Sequence, residues 1–225
     1  RELITDRIAF YSYDHVPWIQ GNGQRGFKDS DLPTADVKRE MYEIGKELLA
    51  EAGYVEIGMD HFALKTDSLY KAVSEKKLHR NFMGYTTSKT KVMIGLGVSA
   101  ISDSWTGFAQ NEKKIEDHYD RLDLNELPLC RGHLLTEEDE RIRQHILNLM
   151  CNFETSWDEE NMWFAELPEV LDSLQEMEND GLLTRSNKGL SITDEGRPYV
   201  RNICMAFDLL LQRHQPETQL FSMTV

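Results

Sequence analysis

The sequence contains little cysteine, with only Cys130, Cys151 and Cys204 in a chain of 225 residues. An odd number of cysteines so far apart does not form a disulfide framework, and their spacing matches no common metal-binding motif. We therefore expect free thiols, a reducing cytoplasmic setting and no metal ligands within this chain.

Long apolar runs and an excess of basic residues are also missing. No stretch approaches the roughly 20 apolar residues that cross a bilayer, and no signal peptide opens the chain. The net charge is −14, from 39 acidic and 25 basic residues, and such a charge repels nucleic-acid phosphates. The sequence predicts neither a membrane nor a nucleic acid as a partner.

Within residues 1–110, predicted strands alternate with predicted helices. Apolar residues from Val37 to Leu48 recur at helical spacing and Gly53 ends that helix, while a shorter helix is predicted at 68–77. The predicted strands are 8–13, 54–59 and 92–102. This alternation is typical of an α/β fold with parallel strands and crossover helices. Three strands leave an open edge and the chain begins with Arg1, so we expect a missing N-terminal part.

Residues 111–225 are predicted to form a second, mainly helical domain that begins with a charged stretch. Thr136 and Asp139 form a capping-box pattern at the start of one helix. The other predicted elements are a helix at 167–179, a hairpin of 182–185 with 190–193, and a helix at 197–213. This order of elements is typical of a winged-helix-like module.

The predicted helix at 167–179 carries four acidic residues and no Lys or Arg. A DNA-recognition helix must attract phosphates, so this composition argues against a DNA-binding module. The apolar residues of the helix need a partner surface; they are Val170, Leu171, Leu174 and Met177. We expect them to dock the module on the first domain near the strand ends, where it would help to cover a substrate.

Two Asp–His pairs follow predicted strands, at the edge where parallel sheets bind ligands. These pairs are Asp14–His15 and Asp60–His61. If they converged, they would suit acid–base chemistry or a metal ion, although no third ligand with recognisable spacing appears. Taken singly, a histidine at such a position more often packs against or caps its strand end.

Glycines and basic residues mark further candidate positions. Gly95-x-Gly97 lacks the third glycine of a dinucleotide motif and indicates a close backbone approach by a strand or a flat ligand. Arg25, Lys28 and Arg80 stand out against the acidic background. They could bind the carboxylates of a substrate or remain solvated loop charges.

Seven strings of residues are more specific as a set than composition or periodicity. They are Tyr13-x-His-Val-Pro17, Gln24-Arg25, Lys28-Asp-x-Asp-Leu-Pro33, Ile57-Gly-Met-Asp-His-Phe-Ala63, His79-Arg-Asn-Phe-x-Gly-Tyr-Thr-Thr87, Gly97-Val-Ser-Ala-Ile-Ser102 and Arg201-Asn-Ile-Cys-Met205. In this order they resemble the oxygen-independent coproporphyrinogen III oxidases, a family of radical S-adenosylmethionine enzymes. The resemblance covers nearly the whole chain and implies the C-terminal half of such an enzyme.

The resemblance implies the terminal part of a partial (β/α) barrel followed by a helical C-terminal domain. It also implies the oxidative decarboxylation of two propionates of coproporphyrinogen III to vinyl groups, giving protoporphyrinogen IX in haem synthesis. S-adenosylmethionine, a [4Fe–4S] cluster on a C-x-x-x-C-x-x-C motif and an electron acceptor take part. No cysteine of this chain falls in that motif. The ligands are therefore expected in the missing N-terminal half, and the chain alone is expected to be inactive.

Site residues are implied by the same resemblance. This half of the barrel contacts a second S-adenosylmethionine in the family, and the matching positions are Ile101, Asp14 and Phe82. The candidates for the substrate carboxylates are Arg25, Lys28 and Arg80. No catalytic residue is assigned in this half.

Two other functions are compatible with parts of the sequence. One is a paralogous radical S-adenosylmethionine protein that handles haem, although the strings at 57–63 and 79–87 favour the oxidase. The other is a winged-helix transcription factor with an α/β ligand sensor, which the negative charge disfavours.

Overall fold

The computed structural model describes residues 4–13, 15–16, 26 and 28–214. Its first sheet contains β1 (Arg7–Ala9), β2 (Tyr54–Gly58) and β3 (His61–Leu64), and α1 (Ala35–Glu51) connects β1 to β2. β3 lies between the other two strands and is antiparallel to both. The two predicted strands exist in shortened form, but their predicted parallel pairing is wrong. Asp60, at φ 60°, turns the chain straight back, so β3 takes the place next to β2.

Helix α1 forms where its pattern predicts, because both ends carry strong local signals. The Thr34 hydroxyl accepts the Val37 N–H at the start, and Gly53 follows the end at φ 91°. The helix packs on the sheet through Tyr42, whose ring stacks on Phe10 at 5.6 Å.

The apolar stripe of α1 faces away from this sheet. We define the α1 stripe as Val37, Met41, Ile44 and Leu48, which are 43–60% exposed. No residue of α1 is buried, so the face with the strongest apolar pattern has no partner within the described part of the chain.

The middle of the chain forms two helices, a hairpin and a second sheet. Its elements are α2 (Ser68–Ser74), β4 (His79–Asn81), β5 (Gly84–Thr86), β6 (Ile101–Asp103), β7 (Gly107–Asn111), α3 (Ile115–Asp123) and β8 (Leu129–Leu134). β4 and β5 pair as an antiparallel hairpin, and β6, β7 and β8 form an antiparallel sheet in that order. The predicted helix at 68–77 is confirmed in shortened form.

The predicted strand at 92–102 is wrong except at its end. Residues 94–100 form a loop, and Met93 makes an isolated bridge with Asp103. Gly97, at φ 94°, turns the chain. The buried Asn111 amide holds this loop by donating to the Gly95 and Gly97 carbonyl oxygens at 3.3 and 2.8 Å.

The C-terminal module contains helices and a small sheet. Its elements are α4 (Glu137–Asn152), β9 (Glu154–Ser156), α5 (Leu167–Ser173), α6 (Gln175–Asn179), β10 (Leu183–Arg185), β11 (Gly189–Ile192), α7 (Val200–Phe207) and α8 (Leu209–Arg213). The capping box is confirmed, because Thr136 and Asp139 exchange both hydrogen bonds. The hairpin is confirmed as β10–β11, and β9 adds a third strand to it. The two longer predicted helices are each interrupted, at Leu174 and at Asp208.

Helices α5 and α6, which we call the acidic helix pair, replace the predicted helix at 167–179. This pair does not dock on the first part of the molecule as predicted. Val170 and Leu174 are 2% and 1% exposed and pack inside the core of the C-terminal module, with Leu171 and Met177 against it. β10, β11 and α7 contribute residues to the same core, so these apolar side chains pack within the module itself.

Helix α4 makes the contact between the two parts instead. Its Cys151 belongs to the smaller core formed by β2, β3 and α2. The Tyr85 hydroxyl donates to the Met150 carbonyl at 2.9 Å and accepts the Met59 N–H at 3.2 Å. The same ring lies where a Cβ of Gly58 would be, so a glycine is needed at that position. Tyr85 therefore bridges the first sheet and α4.

The predicted domain boundary at 110/111 lies within β7, and β8 pairs with β7 from the far side of it. The described strands and helices thus change character at Thr136 rather than at the charged stretch. The division into two domains stays a prediction.

Candidate functional site

The β6–β7 pairing determines which side chains share a face of the second sheet. Ile101 lies opposite Gln110, and Asp103 lies opposite Phe108. Because directly opposed residues point to the same side of an antiparallel sheet, these four side chains share one face. The first candidate cofactor residue, Ile101, therefore lies beside Phe108 on a common surface.

The second candidate residue, Phe82, reaches the same surface from the turn of the β4–β5 hairpin. Its ring meets Phe108 edge-on, with the centroids 5.2 Å apart at 88°. The turn is shaped by Asn81, whose side-chain oxygen accepts the Met83 N–H at 2.9 Å. Phe82 is 55% exposed. The structure thus brings Ile101 and Phe82 to one partly exposed apolar surface, which we call the Phe82–Ile101 wall.

The opposite face of β6 is covered by the loop at 94–100. The Gly95 N–H donates to the Ser102 hydroxyl at 3.0 Å, and a Cβ at Gly95 would lie 2.7 Å from the Ile101 carbonyl oxygen. The predicted close backbone approach at Gly95 is confirmed, with its own chain as the neighbour. It leaves the Ile101 side chain on the face that carries Phe108.

The candidate carboxylate-binding residues are scattered. Arg80 lies opposite Tyr85 in the hairpin, and its guanidinium stands 4.6 Å from that ring centroid. Its buried Nη1 has no hydrogen-bond partner among the described residues. Lys28 is exposed beside Asp31, which accepts its backbone N–H at 2.8 Å. Asp14 and Arg25 lie outside the described residues.

The Asp60–His61 pair occupies the turn and the start of β3. Burial raises the pKa of Asp60 above its usual range, and the nearby His61 and Arg80 act in the opposite direction. His61 Nδ1 lies 2.8 Å from the Met59 carbonyl oxygen, to which it donates, and its ring packs edge-on against Tyr85. His61 therefore caps the strand end. Asp14, of the other pair, is not described, so convergence of the two pairs stays a prediction.

The described cysteines do not fit an iron–sulfur cluster. Burial raises the pKa of the Cys151 thiol to about 11 and that of Cys204 to about 12, so both stay protonated at neutral pH. Cys130 is exposed on β8. Over the described ranges, no three His, Cys, Asp or Glu side chains come together in a way that could hold a metal ion.

Sequence reasoning missed three residues that shape this surface. Asn111 holds the loop behind Ile101, while Asp103 and Arg143 form an ion pair with 2.6 Å between oxygen and nitrogen. The polar character of Asn111 within a strand was a weak signal, but residues 103 and 143 are too far apart in sequence for any local pattern to join them.

Within the described ranges, no helix is both long and apolar enough to span a bilayer.

Comparison with solved structures shows which fold this chain shares. A solved structure of coproporphyrinogen III oxidase from Escherichia coli, described as a radical SAM enzyme, matches 92% of this chain with a TM-score of 0.84 and 38% identity. The match covers 48% of that chain. No family model matches the sequence. The fold is therefore that of one half of a radical S-adenosylmethionine enzyme.

Curated relatives narrow the class to one family. The oxygen-independent coproporphyrinogen III oxidases of Salmonella typhimurium and Escherichia coli are 41% and 40% identical over the whole chain, and that of Synechocystis is 37% identical. The chain spans about half the length of these relatives, 50% in each case. In sequence and in fold, the chain corresponds to the C-terminal half of the oxygen-independent coproporphyrinogen III oxidases.

Proposed function

We propose that this chain is the C-terminal half of a cytoplasmic oxygen-independent coproporphyrinogen III oxidase. The complete enzyme would convert two propionates of coproporphyrinogen III to vinyl groups with loss of CO₂ in haem synthesis. When bound, S-adenosylmethionine and a [4Fe–4S] cluster held by the N-terminal half would supply the radical chemistry for removing hydrogen from a propionate side chain, while Ile101 and Phe82 of this chain would line the second S-adenosylmethionine site. The proposal is supported by the similarity of the whole of this chain to one half of these oxidases. It is also supported by the Phe82–Ile101 wall, where residues of two separate family strings lie on one surface.

The wall has the character needed for a flat, partly apolar ligand. Phe82 presents an exposed ring edge-on to Phe108, and Ile101 adds an aliphatic side chain on the same face. We infer that these two residues, with Asp14, contact a second S-adenosylmethionine. Their role is to orient the ligand and to exclude water from it.

Arg25, Lys28 and Arg80 are the proposed partners of the substrate carboxylates. The observation in favour of Arg80 is its buried Nη1, which has an unused N–H donor within the described part of the chain. A buried guanidinium donor without a partner is costly, and a carboxylate is the acceptor that matches it best. The reaction also releases electrons, so an electron acceptor is a required partner.

The α1 stripe supports the proposal that another half is needed. A helix with four apolar residues 43–60% exposed and none buried leaves a hydrophobic surface open to water. The relatives are about twice as long as this chain, and their N-terminal half is the segment that we propose covers the stripe. Joined in this way, the first part of the chain would complete a partial (β/α) barrel, with the C-terminal module as a winged-helix-like domain beside it.

Replacing Ile101 tests the proposed function. In the complete enzyme, Ile101→Asp would put a carboxylate against the cofactor, where an uncompensated charge costs about 3 kcal/mol. We expect turnover of coproporphyrinogen to fall by about 100-fold, with iron content near that of the unchanged enzyme. Product formation is measured by following the vinyl porphyrinogen after oxidation to the porphyrin.

Ile101→Val is the matched control, since it keeps an aliphatic wall and should retain most activity. An active, folded Ile101→Asp variant would remove Ile101 from the site. If the complete enzyme without any substitution binds its cluster but does not decarboxylate coproporphyrinogen, the proposed function itself is refuted.

A further inference from the structure

An arginine of the C-terminal module contacts the second sheet on the same face as the Phe82–Ile101 wall, next to the wall. Arg143 Nη2 lies 2.6 Å from Asp103 Oδ2, and its Nη1 donates to the Trp105 carbonyl oxygen at 2.9 Å. The Arg143 and Asp103 side chains are only 15% and 11% exposed. A pair this well shielded is held in one geometry rather than exchanged with water.

The guanidinium also packs on two aromatic rings. Its central carbon lies 4.4 Å from the ring centroid of Trp105 and 4.9 Å from that of Phe108. Phe108 is the ring on which Phe82 rests, and Asp103 shares its sheet face with Ile101. Arg143 therefore contacts Phe108 and Asp103, the two residues next to the wall, and is not itself part of the wall.

The segment that Arg143 holds is a tight turn. Trp105 adopts φ 67°, which is unfavourable for a bulky side chain. Asp103 accepts the Trp105 N–H at 2.9 Å in addition to the arginine. One carboxylate thus fixes the turn from inside, and one guanidinium fixes it from α4.

The other end of this connection is rigid. Arg143 stands between Ile142 and His145, which are 8% and 0% exposed in the core of the C-terminal module. The position of its backbone is therefore set by that core.

We propose that Arg143 is a positioning residue that fixes the Phe82–Ile101 wall relative to the C-terminal core. The functional consequence rests on the proposed function, since it assumes that the wall contacts S-adenosylmethionine. Arginine is needed because one planar group supplies two directed donors and a face for two rings. A lysine would keep the charge and lose that geometry.

The first measurement uses the chain itself and needs no activity. The chain is labelled with fluorophenylalanine, and the ¹⁹F resonances of Phe82 and Phe108 are assigned with Phe82→Leu and Phe108→Leu. We expect Arg143→Met and Arg143→Lys to shift or broaden the Phe82 resonance, which is the decisive one because Phe82 reaches Arg143 only through Phe108. The Phe108 resonance reports the lost contact itself and should change as well. The matched controls are Arg141→Met and Arg141→Lys, since Arg141 is on the same helix and contacts Glu137 and the Trp163 carbonyl instead.

The second measurement uses the complete enzyme. Because displacement of a positioning group by about 1 Å costs on the order of 100-fold, we expect Arg143→Lys to lower kcat/KM for S-adenosylmethionine by at least about tenfold. Iron content should stay unchanged. If Arg143→Met does not fold, both the fluorine resonances and kcat/KM are measured on Arg143→Lys and Asp103→Asn instead.

A merely structural role would lower the melting temperature and leave the Phe82 resonance and kcat/KM as in the Arg141 variants, and this result would overturn the proposal. Full activity of Arg143→Lys would overturn it too, because charge alone would then suffice. A shifted Phe82 resonance in a protein that, without substitutions, lacks oxidase activity would support the positioning role and refute the proposed function, so the two failures are distinguishable.

Discussion

The two parts of the molecule differ in how they bury apolar surface. Among the described residues, the C-terminal core contains sixteen buried residues contributed by α4, α5, α7, both hairpin strands and their connections. The smaller core between β2, β3 and α2 contains seven, and one of these, Cys151, is supplied by α4. The core of the C-terminal module consists of the module's own residues, whereas the core of the first part includes a residue of the C-terminal module.

The exposed surfaces show the same contrast. The α1 stripe is exposed on the first part, and every residue of β8 is exposed at the edge of its sheet. The acidic helix pair of the C-terminal module instead turns its apolar residues inward. A region that buries its own apolar face can fold by itself, but the first part requires another surface to complete it.

The contrast predicts a large difference in the cost of leucine deletion. Leu174 is 1% exposed and Leu48 is 60% exposed. Leu174→Ala leaves a cavity in a closed core and should lower the free energy of unfolding of the chain by about 3 kcal/mol. Leu48→Ala removes a solvated side chain and should change it by less than about 0.5 kcal/mol. Urea unfolding of both variants measures the difference.

Equal losses for the two variants would show that α1 is covered in the isolated chain. Self-association through the α1 stripe would be the cause, and repeating the unfolding at several protein concentrations would reveal it.

The α1 stripe should be the contact for the N-terminal half of the enzyme. Met41→Glu combined with Leu48→Glu places two carboxylates on this stripe. Since each buried apolar side chain contributes about 1.5–3 kcal/mol, we expect binding of a separately expressed N-terminal half to weaken by at least about 100-fold. Titration calorimetry measures the affinity.

Ala50→Glu is the matched control, because it adds a carboxylate to an exposed position of the same helix outside the stripe. It should leave the affinity within a few-fold of the unchanged chain. Undiminished binding by the double variant would place the contact elsewhere on the first part.

Local signals predicted the longer helices and the β10–β11 hairpin, and they missed most of the short strands. Gly53 and the Thr136–Asp139 pair determine helix ends through contacts within a few residues, so α1 and α4 appear where expected. β3, β5 and β7 were missed although each pairs with the strand just before it, because they are only three to five residues long and show no clear alternating pattern. β8 pairs with β7 across helix α3, a distance that local patterns do not reach. The loop at 94–100 resembled a strand in its apolar content, but the Asn111 amide, fourteen residues beyond Gly97, decides its shape.

The candidate site could be predicted only in part. Ile101 and Phe82 were found through family strings, and the structure shows how one sheet face brings them together. The ion pair between Asp103 and Arg143 joins residues 40 positions apart. Neither residue stands in a motif, so only the packing of α4 on the second sheet reveals their connection to the wall.

Two buried histidines offer a finer comparison of the two cores. His145 is fully buried on α4; its Nε2 donates to the Met162 carbonyl, and its Nδ1 accepts from the Thr155 hydroxyl, both at 2.8 Å. Burial lowers the pKa of His145. Burial also lowers the pKa of His79 on β4, with Lys89 and Arg143 acting in the same direction and Asp103 opposing them. Both histidines are therefore neutral in the folded chain near neutral pH.

The pH dependence of stability should follow more from His145 than from His79. Because each folded-state pKa lies below the unfolded value of about 6.5, the unfolded chain takes up the proton first as the pH falls. The free energy of unfolding should decrease below about pH 6.5, by up to about 1.4 kcal/mol per pH unit for one group.

Urea unfolding measures this dependence at a series of pH values from about 7.5 down to about 5, a range that brackets the ordinary histidine pKa. The free energy of unfolding of His145→Gln should depend less on pH than that of the chain without substitutions. His79→Gln should flatten the pH dependence less, since burial is the largest cause of both pKa shifts and His145 is the more completely buried of the two, at 0% against 8% exposed. Equal flattening would mean that the smaller core excludes water as well as the C-terminal core does, and the difference between the two parts would then lie in their outer surfaces alone.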